Sequence, residues 1–243
     1  MSSHITVLPA STQAGKETIR FLLQSEQKPF VRGLYRNIDK APAEFTNFSN
    51  FQAVQGDIAT GKGLDFTDSD AVLYIPPPTW DGTDQAEFAH KTSTFVANAL
   101  KRSPSVRRLV IQSALGAQHE PEKILSTKDI GQYCAETLLA DAIDPSKRDI
   151  RLFGPQHYSP LDVKEALEVV TGRKGEMILV PEAGLAEYWG KQIPEVYLPE
   201  FVKFIKAQLP GGVMAQDYEA DKDTVRCHTS LQEELREMLA QHE

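Results

Sequence analysis

The order of apolar and polar positions along this chain predicts a succession of β–α units. Ile5-Thr6-Val7-Leu8 is a short β-type stretch that stops at Pro9. A turn of small residues follows, then a segment in which Ile19, Leu22 and Leu23 share one helical face. Pro29 to Arg36 predicts a second strand, residues 37–52 a polar connector containing Asn and Phe, and Phe51 to Val54 a short third strand. Asp70-Ala71-Val72-Leu73-Tyr74-Ile75 is a continuous apolar run, as expected of a parallel strand covered on both faces. Ala86 to Lys101 predicts an amphipathic helix through Phe88, Thr92, Phe95, Val96 and Leu100. Val106 to Ser113 is the next strand and ends in small residues, Ser113-Ala114-Leu115-Gly116-Ala117.

The second half is more helical. Thr127 to Leu139 carries Ile130, Tyr133, Cys134 and Leu138 on one side. Asp149 to Phe153 predicts a strand running into Gly154-Pro155. Ser159 and Pro160 suit the N-cap and first position of a helix over Leu161 to Thr171, which Gly172 stops. Met177 to Val180 predicts a strand; Leu185 to Trp189, Leu198 to Gln208 and Glu233 to Gln241 predict helices. The pattern is α/β: a Rossmann-like, doubly wound parallel sheet with helices on both faces and a small, mostly helical C-terminal lobe. Residues 1–125 are expected to form the dinucleotide-binding-type domain, and 126–243 a lobe that completes the sheet and forms the substrate side.

Composition narrows the function classes. The 243 residues are 41% hydrophobic and 25% charged, an ordinary globular balance. A net charge of −8 argues against a nucleic-acid surface, which needs a clustered basic face. No apolar run reaches the ~20 residues of a membrane helix. Met1-Ser2-Ser3-His4 leads directly into the first strand without a signal-peptide core, so a cytoplasmic location is expected. Cys134 and Cys227 lie far apart without metal-ligand spacing, which suits free thiols in a reducing compartment, and no metal site is expected.

Strand, tight turn and helix at a chain start is the opening of a dinucleotide-binding domain. Its turn is normally glycine-rich, so that the backbone can approach a pyrophosphate. In the spacing G-x-x-G-x-x-G, Pro9 and Thr12 occupy the first two glycine places and Gly15 the third. Pro9 removes an N–H donor and fixes φ, and Thr12 is expected to put a branched side chain where the phosphate would sit. Thr12, Gln13, Ala14 and Gly15 remain the cofactor candidates through their backbone N–H groups at a helix start. Arg36 ends the second strand, where an arginine accommodates a 2′-phosphate; the alternative is a solvated surface arginine. Pro76-Pro77-Pro78-Thr79-Trp80 sets a stiff wall and an aromatic at the end of a central strand, so Pro76, Pro77 and Trp80 are pocket candidates, with simple loop packing as the alternative for Trp80.

The order of parts resembles the NmrA-like group of atypical short-chain dehydrogenases/reductases. The similar segments are the turn at Val7 to Lys16, Val31-Arg32-Gly33-Leu34-Tyr35-Arg36, Val54-Gln55-Gly56-Asp57, Asp70 to Pro78, and Gln112 to Ala117. Ser126-Thr127-Lys128-Asp129-Ile130-Gly131 and Gly154-Pro155-Gln156-His157-Tyr158-Ser159-Pro160 extend the likeness over most of the chain. The resemblance implies a Rossmann fold and NADP(H) chemistry. It also implies a helix and a strand between the "S-x-x-G-A" turn and the "D-I-G" segment, with a lysine or Tyr-x-x-x-Lys as proton donor. Here only Gln118 to Leu125 bridges Ala117 to Ser126.

With the glycines and that segment both gone, the expectation from sequence is a non-redox cyclase, isomerase or dehydratase of small-molecule, secondary metabolism. It would act on a small apolar substrate, with no required cofactor or only weakly bound NADP. His119, Glu120, Ser113 and Tyr158 are the candidate catalytic groups; a turn serine and an exposed loop histidine are the plain alternatives for Ser113 and His119. An NADP-dependent oxidoreductase and a non-catalytic NAD(P)-sensing regulator are the other readings. The shortened bridge also predicts an uncovered sheet edge and a homodimer that hides it.

Overall fold

A computed structural model describes residues 3–79, 83–113, 126–156, 158–209 and 223–240. His119, Glu120 and Trp80 lie outside them, as does the whole bridge over 118–125.

The first half forms β1 (His4–Leu8), α1 (Gln13–Gln24), β2 (Phe30–Tyr35), α2 (Ala43–Thr46), β3 (Phe51–Gln55), β4 (Ala71–Tyr74), α3 (Gln85–Lys101) and β5 (Arg108–Ile111). The strands make one five-stranded sheet in the order β3-β2-β1-β4-β5, and every neighbouring pair is parallel. This is a doubly wound sheet, whose order reverses beside β1. Ile5, Thr6, Val7 and Leu8 are all fully buried, as a central strand covered on both faces requires. Thr6 meets that condition through its hydroxyl, 2.8 Å from the Ser69 hydroxyl.

Alternation divides the core in two. Ile5, Val7, Val31, Ala71 and Leu73 pack on one face with Ile19, Leu22, Cys134 and Leu138; Leu8, Leu34, Val72 and Tyr74 pack on the other with Val96 and Ala99. The helix α4 (Thr127–Leu139) therefore lies on the α1 side of the sheet. Gly131 makes the close approach possible: a Cβ there would stand 2.3 Å from Glu17 Cβ and 2.8 Å from the Thr18 backbone nitrogen. The chain divides into two compact units, Met1–Ser113 with Thr127–Lys147, and the remainder. α4, which the sequence suggests opens the second domain, thus groups with the first.

The second unit contains β6 (Arg151–Phe153), α5 (Pro160–Thr171), α6 (Leu185–Trp189), α7 (Leu198–Gln208), β7 (Thr224–Arg226) and α8 (Leu231–Ala240). β6 pairs in parallel with β7 in a separate two-stranded sheet, so it adds no strand to the larger one. The start of α5 is a full capping box between Ser159 and Asp162, and Gly172 ends it at φ 66°. The expected strand at Met177 to Val180 does not form. That segment is extended, pairs with no strand among the described residues, and leaves Ile178 and Leu179 75% and 86% exposed. β-branched residues supply a strand propensity, but a strand also needs a neighbour.

Candidate functional site

β1 delivers its chain end at the carboxyl rim of the sheet, next to the end of β4. Leu8 pairs with Tyr74, and Ile75 N–H donates to Leu8 O at 2.8 Å. Pro76 and Pro77 follow, half-buried, beside the turn after β1. Gln112 N–H donates to Tyr74 O at 3.0 Å, which sets Ser113 on the same rim. Arg36 extends β2 there too. The fold thus collects Thr12, Gln13, Ala14, Gly15, Arg36, Pro76, Pro77 and Ser113 along one edge, where ligands of such sheets bind.

The turn itself contradicts one sequence expectation. The side chain of Thr12 does not project into the phosphate position. Thr12 is the N-cap of α1, with φ −69° and ψ 156°; its oxygen accepts Gly15 N–H at 3.0 Å and its hydroxyl donates to Pro9 O at 3.2 Å. A β-branched hydroxyl residue suits this role, because one orphan donor of the helix start is satisfied locally. Gly15 has no room for a side chain: a Cβ would lie 2.7 Å from Pro9 O and 2.8 Å from Thr12 Oγ1. Its glycine place is a packing requirement.

The remaining donors are then countable. Ala10 N–H bonds Leu34 O at 2.9 Å, and Lys16 N–H makes the first helical bond to Thr12 O. The N–H groups of Ser11, Thr12, Gln13 and Ala14 have no partner among the described residues. Ser11 and Gln13 are exposed. Donors without a partner at a helix N-terminus are the groups that an anion would meet, even without the first two glycines. Ser11 was not singled out from the sequence; a hydroxyl residue one place before the N-cap was its only signal.

Arg36 is exposed, and its guanidinium has no partner among the described residues. Arg32, its neighbour in sequence, is committed elsewhere: Nη1 donates to Thr67 O at 3.0 Å near the opposite end of the sheet. Asp57 is also spent locally, accepting from Ala59 N–H at 2.9 Å and from the Thr60 hydroxyl at 3.0 Å. Behind Arg36, the Tyr35 ring folds over Gly33, where a Cβ would meet it at 2.9 Å. The Tyr35 hydroxyl is buried without a hydrogen-bond partner among the described residues, and burial pushes its pKa up to about 12. It is a core group, not a ligand contact.

The catalytic candidates separate. Ser113 stands on the rim, whereas Tyr158 belongs to the second unit, where its oxygen accepts Leu231 N–H at 3.1 Å at the start of α8. Burial pushes the Cys134 thiol up to about 12, and a weak bond with Thr18 only partly offsets it, so it is no nucleophile. Among the described residues no group of His, Cys, Asp and Glu could hold a metal ion, and no helix is long and apolar enough to cross a membrane.

No protein-family profile matches the chain, and no curated protein does. Solved structures do. The triphenylmethane reductase of Citrobacter sp. superposes with a TM-score of 0.68 at 14% identity, over 98% of this chain and 99% of that one. The same enzyme complexed with NADP(H) gives 0.62 at 15% identity, over 97% and 99%. An isoflavone reductase gives 0.62 at 12% identity over 98% and 100%, and an NADPH-dependent quinone oxidoreductase of Escherichia coli 0.58 at 12% identity over 88% and 92%. The chain has the Rossmann-like fold that these reductases share.

Proposed function

We propose that this chain is a divergent NmrA-like reductase that binds NADP(H) and acts on a small apolar organic molecule. The observation that carries the reading is the row of N–H groups from Ser11 to Ala14 without a partner among the described residues, beside a Thr12 side chain engaged with Pro9 O and Gly15 N–H. Those donors would hold the pyrophosphate, and Arg36 would meet the 2′-phosphate as a free guanidinium. Bound NADPH would supply the hydride. Pro76 and Pro77 would wall the rim and exclude water, and the Ser113 hydroxyl on the same rim would hold a substrate oxygen.

The cyclase, isomerase or dehydratase expectation rested on two grounds, the lost glycines of the cradle and the missing proton-donor segment. The Thr12 side chain, turned onto Pro9 O and Gly15 N–H, removes part of the first. The second falls on the bridge over 118–125, outside the described residues. The superposed proteins are named as reductases and oxidoreductases. Calorimetric titration with NADPH and NADH tests the reading: NADPH should bind stoichiometrically and more tightly than NADH. NADPH oxidation with small quinone or dye acceptors then separates a reductase from a dinucleotide-sensing regulator. Binding without any turnover would favour the regulator, and no binding would sink both.

A further inference from the structure

β5 is the last strand of the sheet, and its outer edge has no partner strand among the described residues. Arg108 N–H and Gln112 N–H donate inward, to Asp70 O and Tyr74 O. Backbone groups alternate along a strand, so Leu109 and Ile111 direct theirs to the open edge. The same two side chains are exposed by 41% and 55%, on the face that carries Val72 and Tyr74. Parallel sheets are normally covered on both faces, and the described residues leave this corner partly uncovered.

Edges are usually guarded by charge. Here the two nearby cations are drawn away: Arg107 pairs with the Asp70 carboxylate at 3.0 Å, and Arg108 Nη1 donates to Leu138 O at 2.8 Å. We propose that β5 pairs antiparallel with β5 of a second copy, about a two-fold axis at Val110, which joins the two sheets into one. In that register Leu109 stands opposite Ile111 of the partner subunit, and the pair exchanges both backbone hydrogen bonds. Arg107 and Arg108 fall opposite Ser113 of the partner subunit and Gln112 of the partner subunit, so no like charges oppose. Cross-strand apolar pairs and absent repulsion favour a second copy over an unrelated strand.

Sedimentation of the full chain at micromolar concentration tests this, with L109K/I111K as the variant. Both side chains are about half exposed, so lysine there can extend into solvent and should preserve the circular dichroism spectrum. The wild type should sediment at twice the chain mass and the variant at the single mass. Amide exchange of the unmodified chain gives a reading that needs no variant. The Leu109 and Ile111 amides should be protected at micromolar concentration and exchange roughly tenfold faster or more on dilution to the monomer. A monomeric wild type, a variant that remains a dimer, or edge amides indifferent to concentration would each overturn the proposal. So would a single chain that protects them with a different protein's strand.

Discussion

The Thr12 oxygen accepts the N–H of Gly15 at 3.0 Å, so the residue that breaks the glycine pattern completes the helix start it was expected to obstruct. This arrangement withdraws one donor from any bound anion while leaving the four before it open. T12G should return the Gly15 N–H to the ligand. Glycine at an N-cap costs only a few tenths of a kcal/mol relative to threonine, whereas a hydrogen bond to a charged group contributes about 1.5–3 kcal/mol. NADPH affinity should therefore rise about tenfold or more by calorimetry, with little change in melting temperature. P9G/T12G should bind at least as tightly; unchanged affinity would show that other parts of the rim limit binding.

Gly131 is the contact on which the α1–α4 pairing turns. A methyl group there would press on Glu17 Cβ at 2.3 Å and on backbone atoms at 2.8 Å, which cannot give way as a flexible side chain can. G131A should destabilise by about 3 kcal/mol, at the upper end of the usual range for overpacking, despite the better helix propensity of alanine. Denaturant unfolding checks this. Because α1 begins at the cradle, the same variant should also weaken NADPH binding.

Tyr35 carries a buried hydroxyl without a partner among the described residues. Y35F removes an unsatisfied polar group from the core and should leave stability unchanged or raise it by about 1 kcal/mol at neutral pH. The pH dependence has a definite sign. Burial raises the folded-state pKa from 10.0 to about 12, so the wild type is unaffected below pH 10 and loses stability as the pH rises from there through 12. Y35F should lack that part of the alkaline loss.

Asp70 behaves oppositely. The His4 N–H and the Arg107 guanidinium hold its carboxyl below the usual value of 3.8. Its contribution is present above that value and is lost as the pH falls through the lowered one. D70N should therefore unfold with a flatter acid limb than the wild type, an effect kept small by the exposure of the pair.

The strands of the sheet are legible in the sequence because burial on both faces leaves a continuous apolar signature, as at Ala71–Tyr74. Caps at Ser159 and Gly172 are legible because each residue type has one backbone solution there. The turn after β1 is not, since composition names the residue at position 12 but not its rotamer, and the rotamer decides whether the cradle is closed. Met177 to Val180 fails for a different reason: its apolar residues satisfy a propensity, while pairing depends on a distant chain segment. α4 is read correctly as a helix, yet its place on α1 depends on the missing Cβ of Gly131, a tertiary fact. The rim residues Arg36, Pro76, Pro77 and Ser113 follow from topology alone, because every parallel strand delivers its carboxyl end to one edge.

Calorimetric titration of the wild type and R36A with NADPH tests the central claim most directly. The backbone donors from Ser11 to Ala14 and the Arg36 guanidinium predict one site per chain that prefers NADPH to NADH, and a loss of about 1.5–3 kcal/mol for NADPH alone in R36A. A wild-type protein that takes up neither dinucleotide would contradict the account.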